Sequence, residues 1–584
     1  MTTDTLARPR EETRMDSPIE LPETSAAKRR KMWRRIRTHA AGTALIVVLG
    51  YMTLWPLIQL QLRALRDGGA GYAAAFTTKD LAQTILVTAI LAVGALIIGV
   101  VGGGVLAFAS LRLGPGFRWM AILPILPLVV PPSAAIVGWS LLLAPNSGLI
   151  NAGIRSLPFW PTGVTEGPFD VYTVTWIVII TGIGLSSFVY LFLRNGLQRV
   201  NAEHIEAGLT SGARRLKVYA EIVLPIIRPS IVYGLAVALL LGLGQFAAPL
   251  MLGANNNIRV LATEVFRFTS QSPANYGAAA AIATPLLFAG LVIVVLQKFL
   301  LSDPRRFVVD SGKGGRFGQK PTRGAPMLIG SFAFLATVLP VIALALASVS
   351  PFWDGRFDIT TATWRNFEQL FASAPYARSI QTSLVVSIAA VAIAIPLGYV
   401  IADRLVSDRV PSFVKWILDL VVTIPLGVPA VVFGAGFFFT YTQPPFRLYG
   451  TEAVLIVVYV TIMLPFATRM QVAARMSLGP HFQAAARVSG AGLIKSHVGI
   501  VVPMLRSSIA GSAALIFVLM THEFAASMLV RSPQIQVMGT TLYDMWTLVS
   551  FPMVAAMGLV MCIITAAGVG LALLAGGTKS MESL

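Results

Sequence analysis

The sequence predicts an all-α polytopic membrane protein with about twelve transmembrane helices, arranged as two parallel six-helix repeats. Three observations predict this fold class. The 584 residues have a mean hydropathy of +0.74, and only 12% of them are charged. Apolar runs of roughly 20 residues, long enough to cross a bilayer, recur along the chain. Short sequence segments also recur at fixed offsets, whereas the alternating ten-residue segments of a β-barrel are not seen.

The apolar runs place the membrane spans and the orientation of the chain. Most of the 45 Lys and Arg residues lie between spans on one side, which the positive-inside rule makes the cytoplasm. Both termini are therefore predicted to be cytoplasmic, and the net charge of +19 reflects topology and not nucleic-acid binding. The predicted spans lie near 40–62, 84–110, 117–144, 172–194, 230–253, 277–300, 327–350, 379–402, 412–440, 451–470, 506–530 and 549–576.

The N-terminal segment 1–38 is polar and ends in the basic run "KRRKMWRRIR". We interpret it as a disordered cytoplasmic tail that anchors the topology and lies next to the lipid bilayer. It is followed by an uncleaved first helix, because a signal peptide would have a shorter apolar core and a cleavage site. The single cysteine, Cys562, excludes an intramolecular disulfide and offers no cysteine cluster for a metal.

Internal repetition divides the chain into two halves. "PLVVP" at 127–131 and "PLGVP" at 425–429 lie 298 residues apart, as do "QTILV" at 83–87 and "QTSLV" at 381–385. Further along, the offset is 278, as between "QFAAPLML" at 245–252 and "EFAASMLV" at 523–530. Six spans in each half give the repeats the same orientation. We predict a first half at 39–301, a linker at 302–326, a second half at 327–576 and a tail at 577–584.

Two polar segments interrupt the apolar pattern between the fourth and fifth spans of each half. They read "EAGLTSGARRLKVYAEIVLP" at 206–225 and "AAARVSGAGLIKSHVGIVVP" at 484–503. Gly212 predicts a helix C-terminus with positive φ, and Pro225 is expected to limit how the second short helix continues. Ile205 and Leu209 share one helix face, as do Leu216 and Ala220. A surface helix pair with such an apolar strip is typical of a docking element.

These segments resemble the EAA motif of ABC importer permeases, in which a cytoplasmic coupling helix docks on an ATPase subunit. The second copy has Ala484 at the position of the motif's Glu and Val502 at that of its Leu, so the two docks are expected to be unequal. The coupling residues that the resemblance implies are Glu206, Ala207, Gly208, Gly212, Ile222, Leu224 and Pro225, and Ala484, Ala485, Ala486, Gly490, Ile500 and Pro503.

The length and layout further resemble the fused type I permeases that import ferric iron, thiamine, phosphonates or polyamines. This resemblance implies two copies of an ATPase that bind ATP and Mg, an extracytoplasmic solute-binding protein, and a multi-pass protein of the bacterial inner membrane. Ferric iron is the predicted solute because fused permeases of this layout are common among iron importers. No G-x-x-x-x-G-K-[ST] loop occurs in the sequence, so we expect no cofactor and no enzymatic activity in this chain.

Polar residues and prolines inside the spans are candidates for the translocation path. Gln245 and Glu523 occupy matching positions in the two halves, and His522 precedes Glu523. The alternative is a structural role, such as a hydrogen bond between helices. Helix-breaking prolines can line a cavity or simply kink a helix. The five histidines lack metal-ligand spacing, so no metal site is predicted. The candidate prolines are Pro127, Pro131, Pro425 and Pro429.

Two other classes of protein were weighed against the permease. A secondary transporter would also contain repeats, but it needs coupling groups for protons or sodium within the membrane, and it leaves the two polar segments unexplained. An intramembrane enzyme would need clustered acidic, His or Ser residues at one membrane face, and no such cluster occurs in the sequence.

Overall fold

The computed structural model describes residues 25–78, 80–161, 163–198, 200–301, 320–407, 410–478 and 481–576. The predicted terminal tails, 1–38 and 577–584, and the predicted linker, 302–326, therefore lie wholly or partly outside the described residues. The side chain of Ala484 also lies outside them. Within these ranges the chain is helical, and the only extended pairing is an isolated bridge between Ser532 and Ile535.

The first half contains eleven α-helices, a 3₁₀ segment at Pro115–Leu128 and a π-helical turn at Tyr219–Val223. The α-helices are α1 (Ser25–Phe76), α2 (Leu81–Ser110), α3 (Pro132–Leu143), α4 (Leu149–Arg155), α5 (Val174–Leu197), α6 (Ala202–Thr210), α7 (Arg215–Val218), α8 (Leu224–Leu243), α9 (Ala247–Leu252), α10 (Leu261–Ser270) and α11 (Tyr276–Leu300).

The second half has π-helical turns at Phe334–Val338 and His497–Val501 and a short 3₁₀ turn at Ile359–Thr361. Its α-helices are α12 (Gly324–Ala333), α13 (Leu339–Ser348), α14 (Arg365–Ala372), α15 (Ala374–Val406), α16 (Ser412–Gly427), α17 (Ala430–Tyr441), α18 (Glu452–Leu478), α19 (His481–Val488), α20 (Leu493–Ser496), α21 (Val502–Met504), α22 (Arg506–Thr521), α23 (Ala525–Val530), α24 (Met538–Leu548) and α25 (Phe551–Gly576).

Nine helical stretches in the described part of the chain are long and apolar enough to cross a membrane. Three further pairs of helices qualify together but are bent, which brings the number to as many as twelve. The predicted all-helical membrane fold is therefore confirmed. The third and ninth predicted spans are two of the bent pairs, with bends of 93° between Pro115–Leu128 and Pro132–Leu143 and of 111° between Ser412–Gly427 and Ala430–Tyr441.

Prolines mark both of these bends, as the sequence predicted. Pro131 and Pro429 have extended backbone angles and stand directly before α3 and α17. The half-spans before them differ, since α16 contains one internal proline, Pro425, whereas Pro115–Leu128 begins with a proline and contains Pro124 and Pro127. A proline cannot donate an i→i−4 hydrogen bond. The repeated loss of these donors favours the tighter 3₁₀ winding in the first half.

The two halves exchange their first helices. Helix α1 packs against α11 of its own half and then against α16 and α17 of the second half, while α12 and α13 pack against the 3₁₀ segment and α3 of the first. Matching glycines make these crossings possible. A Cβ atom on Gly138 would lie 2.7 Å from the Pro340 carbonyl oxygen, and one on Gly436 would lie 2.6 Å from that of Pro56. The glycines therefore permit backbone contact between the halves.

Candidate coupling surface and translocation seam

The first polar segment folds into two short helices joined by a glycine turn, which we call the first dock (residues 202–225). Helix α6 ends where Gly212 has a φ of +83°. The Gly212 N–H donates to the Leu209 carbonyl at 3.0 Å, and the Ala213 N–H donates to the Gly208 carbonyl at 3.1 Å. This pair of bonds is a Schellman motif, and a positive φ at its turn favours glycine. The predicted helix end at Gly212 is confirmed.

The second polar segment repeats this turn, and we call it the second dock (residues 481–503). Gly490 has a φ of +82°, and the Ala491 N–H donates to the Ala486 carbonyl at 2.9 Å. Ala485 is exposed and Ala486 is buried on helix α19, which also contains the backbone of Ala484. The two docks therefore share one backbone shape at positions 278 residues apart.

Each dock exposes one large apolar side chain at the start of its second helix. Leu216 is 85% exposed in the first dock, and its counterpart Ile494 is 80% exposed in the second. The predicted strips are corrected in one respect: Ile205 packs inward against the buried core of its half, whereas Leu209, on the same face, is exposed. One exposed apolar residue is ordinary on a protein surface, but here it recurs at matching positions of the two docks.

Pro225 does not end the second short helix, but the helix continues past it only through a change of winding. Helix α7 continues through the π-helical turn Tyr219–Val223, which contains Ile222, into α8, which begins at Leu224 and Pro225. Pro225 has no N–H to donate to the preceding turn, and the wider π turn directly before it accommodates the loss of that bond. In the second dock, Ile500 lies in the π turn and Pro503 in α21, but the chain bends by 74° before α22.

The docks are attached to the membrane helices by different contacts. In the first dock, the ring of Tyr219 packs edge-on against Phe108 of α2, with 6.0 Å between ring centroids. At the matching position of the second dock, His497 Nδ1 lies 2.6 Å from the Tyr399 hydroxyl. His497 Nε2 lies 3.9 Å from Asp403, which also accepts a 2.6 Å bond from Arg475. Tyr399 and His497 also pack edge-on, with 5.9 Å between ring centroids. Both attachments therefore contain a ring contact, and the one at the second dock includes Asp403 and Arg475 as well.

Four aromatic rings meet between the halves at the ends of α8 and α22 that lie away from the docks. We call Phe246, Phe266, Phe524 and Tyr543 the four-ring cluster. Phe246 and Phe524 are 5.3 Å apart and Phe266 and Tyr543 6.3 Å apart, measured between ring centroids across the halves. Within each half, the corresponding distances are 5.9 Å for Phe246–Phe266 and 6.1 Å for Phe524–Tyr543. The cluster closes the seam between the halves at this level.

The predicted path residues next to the cluster have dissimilar partners. Gln245 accepts a 2.8 Å bond from the Thr181 hydroxyl and donates a 3.4 Å bond to the Leu91 carbonyl. Glu523 instead accepts bonds from the backbone N–H groups of Ala526 and Ser527 at 2.8 and 2.9 Å, and from the Ser527 hydroxyl. Glu523 therefore caps the N-terminus of α23. Gln245 therefore joins helices in the first half, whereas its counterpart Glu523 caps a helix in the second.

His522 and Pro429 also lie at this seam. His522 is 8% exposed, and its Nδ1 atom has no hydrogen-bond partner among the described residues. A Cβ atom on Gly244, the counterpart of His522, would lie 3.2 Å from Cβ of Pro429. The proline break of the second half thus contacts the end of α8 in the first. Contact of these residues with a solute remains a prediction, as it does for Pro127, Pro131 and Pro425.

Across the described ranges, no group of three or more His, Cys, Asp or Glu side chains is placed to hold a metal ion.

Comparison with known proteins places these features among transport proteins. The model of a family described as "Binding-protein-dependent transport system inner membrane component" matches residues 69–306. An ABC transporter permease protein of Streptomyces antibioticus, ORF1, is 30% identical over 185 residues, which cover 31% of this chain and 77% of that protein.

Two relatives differ in the solute that their names state. A Haemophilus influenzae protein named as the ferric transport system permease FbpB 1 is 23% identical over 502 residues, covering 82% of this chain and 76% of that protein. The sulfate transport system permease protein CysT of Salmonella typhimurium is 28% identical over 276 residues, covering 47% of this chain and 95% of that protein. The similarity to the first extends across both halves.

Proposed function

Because this chain belongs to the family of ABC transporter permeases, we propose that it is the membrane subunit of a binding-protein-dependent importer. Two copies of an ATPase would drive the passage of a small solute into the cytoplasm, after an extracytoplasmic binding protein delivers it. One observation carries this proposal: two docks of the same backbone shape, each with an exposed apolar residue, lie at matching positions of the two halves. A twofold-related pair of surfaces suits a pair of identical partners.

The arrangement of the helices supports alternating access. Helix α8 leads from the first dock to Phe246, and α22 connects the second dock to Phe524. The 20-residue helix α8 is about 30 Å long and couples the first dock rigidly to the four-ring cluster. The second dock is connected through the 74° bend to the 16-residue helix α22. Closure of an ATPase pair would move the docks together and pivot the two helices. The cluster would then separate on the outer side of the membrane, and the inner side would close.

We propose ferric iron as the solute. The relative with the longest matched stretch among those compared above carries the name of a ferric transport permease, and its likeness covers both halves. The sulfate permease matches 47% of this chain and supports a different solute. Among the described residues, no group of three or more metal-ligating side chains is placed to hold an ion. That arrangement would suit passage without tight binding, since selection would then rest with the binding protein.

Reconstitution in proteoliposomes with the ATPase and the binding protein tests both levels of the proposal. Uptake of radiolabelled ferric iron that requires ATP and the binding protein would support it fully. ATP-dependent uptake of sulfate, thiamine or a phosphonate, with none of iron, would overturn the solute alone. Uptake that follows a proton or sodium gradient without ATP would overturn the importer assignment in favour of an ion-coupled transporter.

A further inference from the structure

A cavity of about 480 Å³ opens beside the first dock, between α6 and the start of α8. Its apolar wall is formed mainly by Ala207, Ile222, Pro225 and Ile226. The polar groups along it are those of His204, Ser211 and Glu221. A long side chain with an aliphatic stem and a polar end would match such a mixed lining.

The polar groups of the cavity are mostly hydrogen-bond acceptors. The Ser211 hydroxyl already donates to the Ala207 carbonyl at 2.7 Å, so its oxygen is left to accept. The carboxylate of Glu221 has Lys217 Nζ at 4.0 Å, and both side chains are about two-thirds exposed. Such a long, exposed ion pair contributes little, so the carboxylate can pair with another cation at small cost. The lining therefore favours a cationic group.

The second dock lacks the charged group at this place. At an offset of 278 residues, Phe482 stands in place of His204 and Gly499 in place of Glu221. The difference extends to the whole segment, because residues 203–221 contain three glutamates whereas 481–499 contain no acidic residue. A partner surface that presents the same side chains to both docks would meet the Glu221 carboxylate at the first dock and Gly499 at the matching place of the second.

We propose that this cavity is a cation subsite, which receives an Arg or Lys side chain of the ATPase bound at the first dock. The second dock holds its ATPase without such a contact, through shared features such as Ile494 and the Gly490 turn. The two ATPase copies are therefore held unequally, and the copy at the first dock has the steeper dependence on salt. This inference rests on the proposed function, because it needs an ATPase partner.

Titration of the purified full-length chain in nanodiscs with its ATPase, at several NaCl concentrations, tests the subsite. We expect Glu221→Gln to weaken one of the two binding steps about tenfold and to flatten its salt dependence, since it removes a charge-assisted hydrogen bond. Glu203→Gln is the matched control. It makes the same charge change on the same dock, but its carboxylate accepts from Asn201 and does not line the cavity. It should change binding less than twofold.

A converse variant tests the second dock. Phe482→His combined with Gly499→Glu should strengthen the weaker step and give it the salt dependence of the first. Equal effects of Glu221→Gln and Glu203→Gln would overturn the subsite, because they would indicate only long-range electrostatics. If the unmodified chain bound no ATPase at all, the proposed function would fall as well. Unchanged binding in Glu221→Gln, with normal binding in the unmodified chain, would remove the subsite alone.

Discussion

The rings of Phe246 and Phe524 lie 5.3 Å apart across the seam, at positions 278 residues apart in the chain. We expect replacement of both by leucine to open an ATP-independent leak for small solutes, because leucine keeps an apolar side chain but removes the ring contact. Efflux of a trapped dye or ion from proteoliposomes measures this leak. Phe288→Leu is the control, since that ring is 57% exposed on α11. Vesicles that stay tight would show that the cluster does not seal the path.

The positive φ at Gly212 and Gly490 leads to a second prediction. A valine at either turn would be strained by about 1–2 kcal/mol, although a Cβ atom would meet no other group within 4 Å. We expect Gly212→Val and Gly490→Val to reduce ATPase recruitment while membrane insertion is retained. Co-purification of the ATPase provides the measurement. Asparagine tolerates a positive φ, so Gly212→Asn should bind the ATPase nearly normally. If Gly212→Asn and Gly212→Val lost the ATPase equally, backbone strain at the turn would not be the cause.

The crossings of the first helices should be sensitive to any added side chain. At Gly436 and Gly138 a Cβ atom would meet a backbone carbonyl closer than 3 Å, and a backbone cannot move aside as a side chain can. We expect Gly436→Val to destabilise the protein by about 1–3 kcal/mol. The thermal unfolding midpoint in detergent would report this loss. Gly184, a helix residue with open space around its Cβ position, provides the control, and Gly184→Val should be tolerated.

Glu523 allows the structural and functional interpretations to be separated. If the capping bonds to Ala526 and Ser527 are its main role, Glu523→Gln should reduce stability by about 1 kcal/mol and leave transport per folded molecule within twofold. Unfolding midpoints and initial uptake rates, measured on the same preparation, distinguish a structural role of Glu523 from a role in transport. A tenfold fall in uptake without loss of stability would instead place this carboxylate in the solute path. Ser527→Ala removes one capping partner at constant charge.

Asp403 connects the second dock to the membrane helices. Its loss would leave Arg475, which is 7% exposed, without its carboxylate partner and would weaken the contact with His497. Breaking a buried ion pair costs about 3–5 kcal/mol, and the partial exposure of Asp403 favours the lower end of that range. We expect Asp403→Asn to uncouple ATP hydrolysis from uptake. The ratio of phosphate released to solute transported measures this, and an unchanged ratio would contradict it.

The large features of the fold could be predicted from the sequence because hydrophobic length and repetition are properties of the chain itself. The proline breaks and the Gly212 turn followed in the same way, since proline and glycine act on their own backbone. The four-ring cluster was not predicted, although "QFAAPLML" and "EFAASMLV" share the phenylalanine that forms its centre. The polar residues beside it, Gln245 and Glu523, stand out more in the sequence, because polar groups are rare within apolar spans. Only the packing of the halves shows which side chains meet.

The dissimilar roles of Gln245 and Glu523 illustrate a second limit. A shared position in a repeat predicts a shared place in the fold, but a side chain takes the partners that its own helix neighbours provide. Ser527 follows Glu523 by four residues and offers a hydroxyl and an N–H group, whereas Pro249 at the matching place in the first half has no N–H to donate. A carboxylate at this position can therefore cap the next helix in the second half, whereas the first half offers fewer N–H donors at the matching place.

The exchange of first helices sets an order for biosynthesis. Pro56 leaves the ribosome some 380 residues before Gly436, the glycine on which it packs. At 5–20 residues per second, α1 therefore waits on the order of tens of seconds in the bilayer for that contact. Its own α11 begins at Tyr276 and can shield it only in the later part of this interval, so lipid must cover α1 until then. Because both halves belong to one polypeptide, α17 stays covalently linked to α1. Their association therefore does not depend on the concentration of a separate subunit.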